Sequence, residues 1–179
     1  MRREANAVEK QYPTLGCCGI DCGLCPRFYT AGASRCPGCG GDGFGQAHPS
    51  CSFLTCCAKR RDLEVCAQCA EFPCAKFDRE DGSRDSFVTH SRVMPNQRTI
   101  QEKGLDAFLL QQKERMDFLR EALDRHNDGQ SKSLFCLAAA LLSIQGLRSA
   151  LFEARNGGNL RERLLSQAKT EGAELKLRK

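Results

Sequence analysis

The first half of the chain has little that could hold it together by burial. Between Cys17 and Ala75 there are only ten large apolar side chains, too few for nearly 60 residues to fold around a core of their own. Val and Ile together number seven in all 179 residues, against 38 Leu and Ala, which argues against a substantial sheet and for helices. The most apolar run, Leu134 to Ile144, is eleven residues including one Ser, well short of the roughly 20 needed to span a bilayer. The opening MRREANAVEKQYPT carries five charges and no long apolar stretch, so no secretory signal is recognisable. A soluble cytoplasmic protein with reduced thiols and no membrane contact is the expectation.

Several chemistries are missing as well. The glycines from Gly38 to Gly45 lack a following Lys-Ser/Thr and a preceding strand pattern, which excludes a phosphate-binding loop. No His/Glu motif suits an open zinc site with a general base. Aromatic residues are not interleaved with basic ones in the manner of a nucleic-acid surface.

What the chain has instead is cysteine, thirteen in all, twelve of them between Cys17 and Cys74. In a reducing compartment, pairs at C-x-x-C spacing read as metal ligands or redox centres rather than as disulfides. Three such pairs stand out: Cys22/Cys25, Cys36/Cys39 and Cys66/Cys69. Each forms a half-site, because a tight two-residue turn sets both sulfurs on one side with backbone N–H groups free to bond them. In Cys36-Pro37-Gly38-Cys39 the Pro and Gly supply the dihedrals of such a turn. Thiolates bind zinc and iron–sulfur clusters alike. Knuckle-type spacing with Gly behind the Cys favours Zn²⁺. Cys18-x3-Cys22-x2-Cys25 has the spacing seen in radical-SAM enzymes, but the β/α barrel those enzymes need does not follow.

The second half reads as helix. Thr99-x-x-Glu102 has the form of a capping box opening a short helix, with Gly104 interrupting it. Leu105, Leu109, Gln112, Met116, Leu119 and Leu123 step by three or four along a longer helix, with a polar break at Gln112, and Asn127-Asp128-Gly129 ends it. The next helix is predicted from Ser131 or Ser133 to about Ala154, apolar nearly all round in its first half and therefore buried. After Asn156-Gly157-Gly158, Leu160, Leu164, Ala168 and Leu175 mark a weaker amphipathic helix. The fold expected is a small metal-stabilised cysteine-rich domain of turns and short helices with little strand, residues 14–78, followed by a linker, 79–95, and an all-α hairpin or three-helix bundle, 96–179.

The net charge of +5 sits in the last 49 residues, which hold 9 basic and 4 acidic side chains. A basic C-terminal helix could touch nucleic acid, but so small an excess reads first as a solvated face.

The series Cys18-Gly19-Ile20-Asp21-Cys22-x2-Cys25-Pro26, Cys36-x-Gly38-Cys39, Cys51-x4-Cys56, Cys66-x2-Cys69 and Glu71-Phe72-Pro73-Cys74 resembles the bacterial and archaeal domain-of-unknown-function family 3795. The likeness runs from Cys18 to Phe77. It implies a cysteine-rich, zinc-binding domain of unassigned activity. Carried over on that resemblance, the ligands are Cys18, Cys22, Cys25, Cys36, Cys39, Cys51, Cys56, Cys66, Cys69 and Cys74, enough for two four-thiolate zinc sites with two left over. Cys17 and Cys57 are adjacent extras, and His48 is a candidate ligand; any of the three could complete a third site. Asp21 is expected to cap a turn or accept hydrogen bonds near the cysteines, His90 and His126 to be surface or linker residues, and Cys136 to be a core thiol. The expected role is structural zinc serving interaction with a protein or, less favoured, nucleic acid. An iron–sulfur or thiol redox protein is the alternative.

Overall fold

The computed structural model describes residues 9–48, 50–78 and 84–178. Among these residues the chain is helical and contains no strand, as the scarcity of Val and Ile predicts. The cysteine-rich half is built of turns. Short 3-10 turns span Cys22–Leu24, Gly32–Ser34 and Cys66–Gln68. Helix α1 is the single turn Phe44–Ala47, and α2, Ser52–Leu54, widens into a π-helical turn over Thr55–Arg60.

The long helices are α3, Val93–Lys103, α4, Leu105–Arg125, α5, Lys132–Leu141, α6, Ile144–Arg155, and α7, Leu160–Thr170. Gly104, at φ +86°, separates α3 from α4, a conformation that costs glycine nothing. α3 begins six residues ahead of the expected capping box. Thr99 therefore lies inside the helix, where its Oγ1 donates to the Pro95 carbonyl at 2.9 Å. The apolar stripe of α4 is centred on Gln112, Met116 and Leu119, all buried, together with Phe108, Phe118 and Ala122.

The helix expected to run unbroken from Ser131 to Ala154 is two helices. Leu142 turns extended and Ser143 caps α6, its Oγ accepting from Gly146 N at 2.9 Å. Glu171, just past α7, accepts from both Ser143 N and Oγ, at 2.8 and 2.7 Å. A carboxylate remote in sequence thus holds the corner, which no local pattern announces. α5 is buried over Phe135 to Ala140, the central position its all-round apolar character requires.

The principal core joins α4, α5, α6 and α7, and Leu24, Phe28 and Tyr29 of the cysteine-rich half pack into it. A second cluster joins Leu15 and Val65 to Ile100 and Phe108. The two halves therefore share cores. Polar side chains of α3 and α4 reinforce the junction: Gln97, fully buried, donates to the Cys17 carbonyl at 3.0 Å and accepts from Ala67 N at 2.6 Å. Within the stretch expected to link the halves, residues 79–83 lie outside the described residues. In the described part of that stretch, Asp85 holds Arg178 by a 3.1 Å ion pair, and Val88 and Thr89 are buried.

Candidate metal centre

None of the thirteen cysteines is in a disulfide. Cys17, Cys39 and Cys57 are buried, with Cys22 and Cys66 packed against them. Cys39 Sγ donates to Cys17 Sγ at 4.0 Å. Cys17 and Cys57 lie near enough to shift each other's ionisation, as do Cys57 and Cys66, while Cys57 Sγ donates to the Leu63 carbonyl at 3.2 Å. The result is a row of four thiols, Cys39, Cys17, Cys57 and Cys66, drawn from four separate segments. The segments are pinned by backbone bonds, Cys39 N to the Pro13 carbonyl at 2.8 Å and Cys66 N to the Cys17 carbonyl at 2.9 Å. Gly38 makes the first contact feasible. It stands at φ +88°, and a Cβ there would collide with the Pro13 carbonyl.

A buried ammonium lies beside this row. Lys10, its side chain 1% exposed, donates to the Leu15 carbonyl at 2.5 Å and stands 3.7 Å from the Glu64 carboxylate. Its charge favours the thiolate forms of Cys17, Cys39 and Cys57. Without a metal the neutral thiols win. At Cys17 the bond with Cys39 favours the thiolate, but neighbouring Cys57 and burial outweigh it and push the group up to about 12. Cys57 is likewise raised to about 12: Cys17 beside it favours the thiolate, but Cys66 and burial prevail. Cys39 is pushed up further by its bond to Cys17 and by burial.

A second group of thiols borders a cavity of about 310 Å³. Cys18, Cys22, Cys25, Cys36 and Cys51 line it, and Cys17 and Cys39 of the row reach it too. Burial raises both Cys22 and Cys25. His48 stacks on Phe44 with ring centroids 4.7 Å apart and holds Nε2 3.8 Å from Cys36 Sγ. A third, smaller set lies at the surface, where Arg61 contacts Cys69 Sγ at 3.3 Å, also bonds Cys56, and pairs with Glu71 at 2.7 Å. Cys74 borders neither the row nor the cavity. Phe72 packs on Phe77 and Phe77 on Phe53, each at 5.0 Å between centroids. Cys136 is buried among the α4–α7 helices, as expected of a core thiol.

The C-x-x-C pairs do not all behave as single half-sites. Cys22 and Cys25 face one cavity, and so do Cys36 and Cys39, although Cys39 also lies in the row; Cys66 is in the row while Cys69 meets Arg61. Cys17 and Cys57, set aside as extras on spacing, are the middle of the row. The doublets Cys17-Cys18 and Cys56-Cys57 carried that signal, since neighbouring residues in an irregular backbone send their sulfurs to different groups. His90, expected at the surface or in a linker, borders the cavity, where Ser86 Oγ is 3.4 Å from its Nε2. As they stand, no three His, Cys, Asp or Glu side chains among the described residues are placed to hold a metal ion.

Fold and site together define a protein that is helical and without strand among the described residues, with a cysteine-rich segment pinned to the helices by shared cores. The cysteine-rich segment, residues 14–79, matches the model of a family described as protein of unknown function, DUF3795. The likeness read from the cysteine series is shown for that segment, and the family description assigns no activity. No curated protein and no solved structure matches the chain.

Proposed function

We propose that residues 14–78 are a thiolate metal-binding module with zinc as its structural metal, and that the folded module serves interaction with a protein partner. The observation that supports this most is the row Cys39, Cys17, Cys57 and Cys66 beside buried Lys10. A thiol is a weak hydrogen-bond donor, so a cluster of three buried thiols with a fourth, half-buried one beside it is a poor use of interior space unless they become anions. Four thiolates on Zn²⁺ carry a formal charge of minus two, and a buried ammonium offsets part of it. Metal binding has to draw the four sulfurs together, with each thiol releasing its proton. A closed four-thiolate site leaves no coordination position for a substrate, so the metal folds the chain and does no chemistry.

The test is zinc content after anaerobic purification of the full chain. Stoichiometric zinc that is lost in Cys57→Ser and kept in Cys136→Ala is expected. Zinc-free protein whose row thiols all react with a chromogenic disulfide in the native state would overturn the reading.

A further inference from the structure

We infer that the thiol-lined cavity is a seat for an iron–sulfur cluster held by Cys18, Cys22, Cys25 and Cys36. The site uses sulfurs other than those of the proposed zinc row, which it adjoins where Cys17 and Cys39 border the cavity and Cys22 packs against the row. Cys18, Cys22 and Cys25 come from one tight loop around the 3-10 turn Cys22–Leu24, and all three border the same cavity. Cys36 arrives from the next segment, fixed by its N–H on the Arg27 carbonyl at 2.9 Å. Three cysteines from one loop and a fourth from elsewhere is a sufficient ligand set for a cluster.

Size separates a cluster from a single ion. A tetrahedral zinc needs its sulfurs about 2.3 Å away on all sides, which leaves no room for a cavity between them. A cavity of about 310 Å³ far exceeds the 10–15 Å³ or so that admits one water molecule. Several irons with bridging sulfides fill such a space where one ion does not.

The surroundings fit the same group. The backbone N–H groups of Arg27 and Phe28 favour the Cys25 thiolate, and that of Cys39 the Cys22 thiolate. N–H dipoles near the sulfurs stabilise cluster thiolates and tune the metal. Ile20, Phe53 and Val93 give the remaining wall apolar surface, and His48, Ser86 and His90 border it as well. Arg27 lies over the Phe87 ring, 5.0 Å from its centroid, and both border the cavity. A cation is therefore at hand to offset an anionic cluster. Ligation takes two ferrous and two ferric ions and four sulfides from outside and releases one proton from each of the four thiols, so that charge and electrons balance with no oxidation of the protein.

The experiment uses the full chain, purified without oxygen and reconstituted with ferrous iron, ferric iron and sulfide. Iron and acid-labile sulfide in equal amounts are expected, with broad visible absorption that bleaches on reduction. Cys25→Ser and Cys22→Ala should lose iron and sulfide to background while keeping helical circular dichroism and any zinc held by the row. Cys57→Ser should keep the visible spectrum. Colourless protein after reconstitution, or zinc occupying the cavity and lost in Cys25→Ser, overturns the cluster. Loss of zinc alone in Cys57→Ser, with the cavity empty of iron, overturns the cluster and leaves the zinc row standing.

Discussion

Asp21 sits between two cysteines, yet its carboxylate is turned toward the helices. Only 5% exposed, it accepts from Asn96 Nδ2 at 2.7 Å and from Gln112 Nε2 at 3.0 Å. Gln112 was the polar break in the apolar stripe of α4, and Asp21 is the reason a glutamine is tolerated there. Asp21→Ala strands two buried donors, each costing about 1–3 kcal/mol. Urea denaturation should show that loss, and an unchanged midpoint would contradict the assignment. The thiols of the row make a second prediction at this scale. Cys17 and Cys57 are raised from an ordinary 9.0 to about 12 in the metal-free fold. The folded state therefore holds their protons more tightly than the unfolded chain. The stability this confers is complete below pH 9 and disappears as pH rises toward 12. Thermal melts of the metal-free chain across that window should fall, whereas a flat profile would mean the row thiols are not shielded.

At the scale of elements, helices were legible wherever the pattern was local. Gly104, the Asn127-Asp128-Gly129 stop and the apolar α5 all lie where periodicity and turn residues put them. The corner at Leu142–Ser143 was not legible, because Glu171 makes it from 28 residues away. Cys17 and Cys57, adjacent extras in the sequence and candidates there for a third site only, lie with Cys39 and Cys66 across the chain, where rules of spacing along it do not reach. Ser143→Ala removes the cap of α6 and one of the two bonds to Glu171. A cost of about 1 kcal/mol, within the usual 0.5–2 for a lost N-cap, is expected. Equilibrium unfolding measures it, and a neutral result would show that α5 and α6 do not need the corner.

Across the whole molecule two kinds of cohesion meet. Leu and Ala hold α4 to α7 around Phe135, Leu119 and Leu164, all essentially free of solvent contact. The cysteine-rich segment has little comparable core and leans on that body through Leu24, Gln97 and Asp21. The basic excess of the last 49 residues is largely engaged: Arg155 pairs with Glu121, Arg163 with Glu153 and Arg178 with Asp85. That pairing favours the solvated-face reading over nucleic-acid binding. Removal of metal should loosen residues 14–78 and spare α4 to α7. Hydrogen exchange should then rise in the cysteine-rich segment alone, and uniform protection with and without chelator would mean that no metal supports it.

The most direct test of the central claim, that these thiols hold metal, is the mass of the anaerobically purified chain under native conditions compared with the same sample denatured in acid. A native mass above that of the polypeptide by whole zinc ions or by an iron–sulfur cluster, lost on denaturation, is the predicted result. Identical masses from cells supplied with both metals would contradict it.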